Sequence, residues 1–306
     1  MSALNTEPIS ATTRFCAVYG YPVKHSASPA MQNAATAALG LDWRYVAFPV
    51  HPDQLRVAIT GAQAMKFIGL NLTVPHKLLA VDFVDVLDDS ARTWGAVNTI
   101  RFEAKTVSGE WKPLREFEDI PNELRSVGFN TDADAITRSI REDLSFELRG
   151  ARVLLLGAGG AGRVAALRLA DQHVTELFLV NRTSSKAEEI AREIRQRFPS
   201  VRVSVGYPDQ SVDLTVNATS LGLKESDALP LETMRFGLSR CGAVYDMIYR
   251  PAETPLLKAA KAAGCRVANG IGMLLYQGAA ALEIWSGKPA PVDVMRRALE
   301  KNVYGS

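Results

Sequence analysis

The chain has 306 residues, 47% hydrophobic and 22% charged, with a formal net charge of +2. That balance suits a soluble protein of two ordinary domains and gives no electrostatic case for a nucleic-acid or anionic-membrane partner. Three distant cysteines (Cys16, Cys241, Cys265) and four histidines without i, i+4 spacing point to no disulfide framework and no metal site. The first 14 residues are polar and no apolar run is long enough to cross a bilayer, so a cytoplasmic location is expected.

In chain order, residues 15–19 read as a strand and 29–39 as an Ala-rich helix entered through Ser26 to Ser28. A strand at 45–50, a helix at 53–65, a strand at 69–73, a helix from 77 towards 87 and a strand at 96–101 follow. Strands regularly separated by helices predict βαβ units and a mainly parallel sheet. Residues 103–127 break the rhythm with many charges, Pro113 and Pro121, and read as a solvated hairpin or loop, more weakly as a lid. A helical run to about Leu144 then leads into a second array. Its strands are predicted at 153–156, 177–180, 201–205, 214–217 and 243–246, with helices at 163–171, 186–198 and 255–263. Helices at 273–285 and 292–301 end the chain. The expected class is α/β with two domains: 1–131 plus 271–306 as a substrate domain, and 132–270 as a Rossmann-type domain.

The strand Val153-Leu154-Leu155-Leu156 runs directly into Gly157-Ala158-Gly159-Gly160-Ala161-Gly162, a G-x-G-x-x-G turn opening a helix. In that setting the first glycine permits the turn, the second admits a pyrophosphate to the backbone, and the third lets helix and strand lie close. The helix N-terminus supplies unpaired N–H groups to the phosphates. The next strand ends in Asn181-Arg182-Thr183, with Lys186 beyond. An NAD site usually carries an acid there for the ribose 2′-hydroxyl; a cation in its place suits a 2′-phosphate, so NADP is the expected cofactor.

In the first third, polar clusters fall at strand ends: Ser26 and Ser28, Asn71 to Lys77, Asn98 and Thr99, and Asn130 to Asp132. They supply hydroxyls, amides, one lysine and one aspartate, an inventory suited to a polyol ring bearing a carboxylate. On the residues alone, the solvated reading of Lys77 is the favoured one; Asp132 can be a helix N-cap, the two serines caps, and Tyr249 packing.

These stretches, taken in order, resemble the shikimate dehydrogenase family. The matching runs include Gly20-Tyr21-Pro22-Val23-Lys24-His25-Ser26-Ala27-Ser28-Pro29 and Asn71-Leu72-Thr73-Val74-Pro75-His76-Lys77. They continue through Asn98-Thr99, Asn130-Thr131-Asp132, the glycine turn, Asn181-Arg182-Thr183 and Asn217-Ala218-Thr219-Ser220. Tyr245-Asp246-Met247-Ile248-Tyr249 and Asn269-Gly270 to Gln277 complete the series. The resemblance implies reversible, NADPH-dependent reduction of 3-dehydroshikimate to shikimate in aromatic amino acid biosynthesis, by a monomer or homodimer. It implies Lys77 and Asp132 as the catalytic pair, with Ser26, Ser28 and Tyr249 at the substrate carboxylate. Asn71, Thr73, Asn98 and Gln277 would bind ring hydroxyls. Gly157, Ala158, Gly159, Gly160, Ala161, Gly162, Asn181, Arg182, Thr183, Lys186, Thr219, Met247 and Gly270 would bind the cofactor.

The chain departs from the family at Gln32 (often His), Ala133 and Ala135 (usually Gly), Ile136 (commonly Phe) and Leu223 (usually Met). The 103–127 insertion is also longer than usual. The rival expectations are a quinate/shikimate dehydrogenase using NAD(P) and a non-catalytic regulator that binds NADP and a metabolite.

Overall fold

The computed structural model describes residues 8–305, which form two compact units. The first comprises residues up to Asp132 together with Leu275 onward; the second comprises Ala133–Leu274. The α/β class expected from the alternating pattern is what the structure contains.

The first unit begins β1(Arg14–Gly20), α1(Ser28–Ala38), β2(Trp43–Pro49), α2(Leu55–Ala64), β3(Gly69–Leu72) and α3(His76–Leu79). It continues β4(Val86–Leu87), α4(Asp89–Trp94), β5(Thr99–Lys105), β6(Trp111–Pro113) and β7(Leu124–Phe129). Its sheet runs β2-β1-β3-β5-β7-β4, with β6 paired to β5. The parallel pairing predicted holds among β1, β2 and β3 and between β4 and β7, whereas β5 runs antiparallel to β3, β6 and β7. The helix expected from 77 towards 87 stops at Leu79; a 3₁₀ turn over Ala80–Asp82 follows, and Val86–Leu87 joins the sheet beside β7.

Of the hairpin and loop readings of residues 103–127, the hairpin forms, with β6 antiparallel to β5, but the segment is not wholly solvated. Residues 103–105 extend β5, and the chain returns through β6 and β7. Leu114 is buried, and Phe117, Ile120 and Leu124 pack against the core. Arg14 Nη1 donates to the Leu114 carbonyl at 2.7 Å, and Lys66 Nζ to that of Ile120 at 2.9 Å. Glu103, also buried, is paired with Arg101 and with Arg125 at 2.7 Å. Part of the charge that suggested solvation is thus spent across strands, in Arg125–Glu103 and Lys105–Glu123. Leu114, Phe117 and Ile120 sit in the irregular stretch between β6 and β7, where no period of 2 or 3.6 can show them.

The second unit carries β8(Arg152–Leu156), α6(Gly160–Asp171), β9(Glu176–Val180), α7(Ser184–Arg197) and β10(Arg202–Val205). β11(Val212–Asn217), β12(Cys241–Asp246), α8(Pro255–Ala262) and β13(Arg266–Asn269) follow. All six strands are parallel, in the order β10-β9-β8-β11-β12-β13. β8 is buried along Val153, Leu154, Leu155 and Leu156, as a sheet covered on both faces requires. Two helices belong to both units by chain position. α5(Asp132–Leu144) leaves the first, and α9(Ile271–Ser286) returns to it; α10(Val292–Tyr304) ends the chain. Within the first unit, Trp285 is buried in the core and donates from Nε1 to the Ile100 carbonyl at 2.9 Å.

No helix among the described residues is long and apolar enough to cross a membrane, and these residues include no metal-holding His/Cys/Asp/Glu cluster. The three cysteines are buried free thiols.

Candidate active site and dinucleotide turn

In the first unit the ends of β3, β5 and β7 bring a polar network together. Asn71 lies one residue before the end of β3, and its Oδ1 accepts from the Tyr45 hydroxyl at 2.7 Å. Its Nδ2 donates to the Asn98 carbonyl at 3.2 Å and to Thr99 Oγ1 at 3.0 Å. Asn98 Nδ2 donates to Thr131 Oγ1 at 2.9 Å, and its Oδ1 accepts from the Thr131 backbone at 2.8 Å. Thr131 Oγ1 also lies 3.1 Å from the carbonyl of Gln277, which arrives on α9. Asn71, Asn98, Thr99 and Thr131 are all buried, so each needs its partners to offset lost water. Lys77 Nζ and Asp132 Oδ2 are 2.6 Å apart, one at the start of α3 and the other at the start of α5. The lysine is held from behind, since the Val97 N–H donates to its carbonyl at 2.8 Å.

Ser28 is buried and Ser26 partly so; the N-cap of α1 is Ala27, with no side-chain cap. The Ser26 hydroxyl nevertheless accepts from the N–H of Ser28, the first residue of α1, at 3.4 Å. Thr73 is half-buried, and its backbone N–H donates to the Tyr19 carbonyl at 2.9 Å. Tyr249 belongs to the second unit, in the segment after β12. Gln32 donates to the Gly278 carbonyl at 2.8 Å, joining α1 to α9. Ala133 and Ala135 are buried.

Tyr45 carries no mark of a site residue in the sequence. Tyr45 is buried, which holds its phenol well above the ordinary range, with the Ser28 hydroxyl pulling the other way. Its phenol is therefore a proton donor, placed beside two residues already singled out. The sequence sign was only an aromatic in a strand, a common core residue. Thr131 belongs to the polar cluster of Asn130 to Asp132, and the structure gives its hydroxyl a place in the network.

In the second unit the glycine turn forms as expected. Gly157 has φ +105°, where a side chain is strained, and a Cβ on Gly162 would strike the Gly157 carbonyl. At Gly159 a Cβ would meet nothing within 4 Å, so that stretch of backbone is open to an approaching group. Asn181 ties the turn to the next loop: its Oδ1 accepts from the Ala158 N–H at 3.0 Å, and its Nδ2 donates to the Thr183 carbonyl at 2.9 Å. Arg182, Thr183 and Lys186 are exposed, and neither Arg182 nor Lys186 is ion-paired among the described residues. Of these three, Arg182 lines a cavity of about 720 Å³, together with Gly157, Gly159, Asn181, Thr219, Tyr207 and Arg235. Open glycine backbone at a helix N-terminus, with an exposed arginine and no acid at the ribose position, fits a phosphorylated dinucleotide.

Thr219 is held by Asn217, whose Oδ1 accepts from the Thr219 N–H at 3.0 Å and its hydroxyl at 2.8 Å. Asn217 in turn donates to Asp246 at 3.0 Å. Asp246 is wholly buried, and burial raises its carboxyl above the ordinary value against the bonds from Thr254, Ile248 and Asn217. The Met247 N–H donates to the Asn217 carbonyl at 3.0 Å, and the Gly270 N–H to that of Ile248 at 3.1 Å. Thr219, Met247 and Gly270 are thereby brought to one edge of the sheet.

Three family profiles match the chain: "Shikimate dehydrogenase substrate binding domain" over 18–100, "Shikimate / quinate 5-dehydrogenase" over 139–205, and "Shikimate 5'-dehydrogenase C-terminal domain" over 270–300. A shikimate dehydrogenase (NADP(+)) of Desulforamulus reducens is 40% identical, covering 96% of this chain and 97% of the relative. The chain belongs to the shikimate dehydrogenase family. A family structure in complex with NADP+ superposes with a TM-score of 0.82 at 34% identity, over 97% of this chain and 98% of that one. A Thermus thermophilus member, solved with NADP(H) and shikimate, gives 0.77 at 33% identity, over 94% and 99%.

Proposed function

We propose that this chain is an NADP-dependent shikimate dehydrogenase, which reversibly reduces 3-dehydroshikimate to shikimate in the cytoplasm as a step of aromatic amino acid biosynthesis. The observation that carries the proposal is the Lys77–Asp132 pair at 2.6 Å, adjoining the amide and hydroxyl network around Asn71 and Asn98. Relatives bearing that name cover nearly the whole chain, and one was solved with both NADP(H) and shikimate. Residues 1–131 with 271–306 would form the substrate domain and 132–270 the cofactor domain, in a monomer or homodimer.

NADPH, when bound, supplies the hydride for the ketone carbon. The ketone oxygen gains negative charge as this happens, and it then needs both a proton and positive charge close by. The Lys77 ammonium offers both, donating from Nζ, while Asp132 holds that ammonium in place. Ser26 and Ser28, with Tyr249, take the substrate carboxylate. Thr73, Asn98 and Gln277 take ring hydroxyls. Asn71 takes one through a remaining lone pair on Oδ1, because both its N–H groups are engaged within the protein. Gly157 to Gly162 and the start of α6 hold the pyrophosphate, with Ala158 and Ala161 in the same turn. Arg182, Thr183 and Lys186 hold the 2′-phosphate on a loop braced by Asn181. Thr219, Met247 and Gly270 border the nicotinamide.

The test is an initial-rate matrix of shikimate and quinate against NADP⁺ and NAD⁺. Oxidation of shikimate with NADP⁺ should dominate. Turnover confined to quinate overturns the substrate, a preference for NAD⁺ overturns the cofactor, and binding without turnover overturns the enzyme.

A further inference from the structure

The outer wall of the 720 Å³ cavity is built by residues that no phosphate contact requires. Along the C-terminal edge of the second sheet the order β8-β9-β10 places three stations side by side. They are the glycine turn, the Asn181–Thr183 loop, and the segment Val205-Gly206-Tyr207. Pyrophosphate, ribose and base are joined in that order in the adenosine half of a dinucleotide. With pyrophosphate on the first station and ribose on the second, the base falls to the third.

That third station holds a supported cation. The Tyr207 ring lies stacked on Phe236, with 11° between the planes and 6.4 Å between centroids, and Phe236 is wholly buried. The Tyr207 hydroxyl accepts from the Glu232 N–H at 2.8 Å, which fixes the ring at its outer end. Above this ring sits the Arg235 guanidinium, 5.2 Å from the centroid. Its one acidic neighbour among the described residues, Glu232, is 4.0 Å away and exposed. A solvated pair at that distance contributes little and needs no aromatic support. A planar cation mounted on a fixed ring and facing a cavity is an arrangement that receives a flat π system.

We propose that Arg235, seated on Tyr207, is a base-recognition residue that covers the adenine of the cofactor. The assignment rests on the NADP reading above and deepens it by dividing the labour: Arg182 reads the 2′-phosphate and Arg235 the purine. A base contact is shared by NADPH and NADH and is missing from reduced nicotinamide mononucleotide, which lacks the adenosine half.

The test is fluorescence titration of the full chain with those three probes, for the wild type, Arg235→Ala and Arg235→Lys. The Arg235 side chain is 60% exposed, so the fold should tolerate both changes, and thermal midpoints verify this. Arg235→Ala should weaken NADPH and NADH by the same factor, about fivefold, and leave the mononucleotide untouched. Arg235→Lys keeps the charge but not the plane, and should fall near Arg235→Ala. Loss confined to NADPH makes Arg235 a phosphate cation and overturns the assignment, as does no loss at all. A wild-type chain that binds neither dinucleotide overturns the cofactor reading together with this one.

Discussion

The polar cluster of the first unit and the phosphate turn of the second are made from different parts of the chain. In the first, Tyr45, Asn71, Asn98, Thr99 and Thr131 come from separate strands and loops, and side chains satisfy one another out of water. In the second, six consecutive residues supply mostly backbone, and the cations at its rim are exposed. A side-chain network tolerates little, because removing one member strands a buried partner. A backbone turn with exposed cations can lose one cation and keep its shape. Substitutions in the first should therefore damage chemistry and stability together, and those in the second should re-tune affinity.

The largest effect is expected at Lys77. Lys77→Ala should lower turnover about 10³-fold while NADPH still binds, measured by steady-state rates beside fluorescence titration. An equal loss of both would break the division between the units. Next comes Arg182. Arg182→Leu should reduce the preference for NADP⁺ over NAD⁺ about 10- to 100-fold, with the loss in KM for NADP⁺, since it removes a charge-assisted bond at an exposed site. An unchanged ratio would assign the 2′-phosphate to other groups.

The same contrast decides what could be read from the sequence. The glycine turn was legible because its residues are adjacent and each constrains backbone: Gly157 by its φ and Gly162 by close approach. The buried strands were legible from runs such as Val153 to Leu156. β13 was not, since Arg266–Asn269 is a short outermost strand without an apolar run. β7 was hidden by charges such as Arg125, which meets Glu103 only once the strands are side by side. The members of the network around Asn71 were legible as polar clusters at strand ends, but their individual roles came from resemblance, because the clusters lie tens of residues apart. Tyr45 offers the plainest case, 26 positions from the amide it bonds and chemically silent as a strand tyrosine.

Tyr45→Phe sharpens that point. It leaves the buried Asn71 Oδ1 short of a donor, at a cost of about 1–3 kcal/mol in folding stability. Urea unfolding should record that loss, and the KM for shikimate should rise while the KM for NADP⁺ stays put. Full stability with a higher KM would mean that Asn71 turns to find another donor.

The smallest effect belongs to His76, the buried polar residue beside Lys77 that the network leaves out. Neither ring nitrogen makes a hydrogen bond of ordinary geometry with the described residues, and burial lowers the imidazole below its ordinary value. It is therefore neutral in the folded state at pH 7. Below about pH 6.5 an unfolded imidazole takes up a proton that the folded one refuses, so the unfolded state binds more protons and stability falls with pH. This contribution is complete above the unfolded value and is lost as pH falls towards the folded one. His76→Phe removes the titrating group, along with its backbone contact to Val50, and should flatten the acid side of the stability curve. Urea midpoints for both proteins between pH 8 and 5 measure the effect through their difference. A difference independent of pH would mean that His76 is protonated equally in both states, and then its burial would need a partner after all.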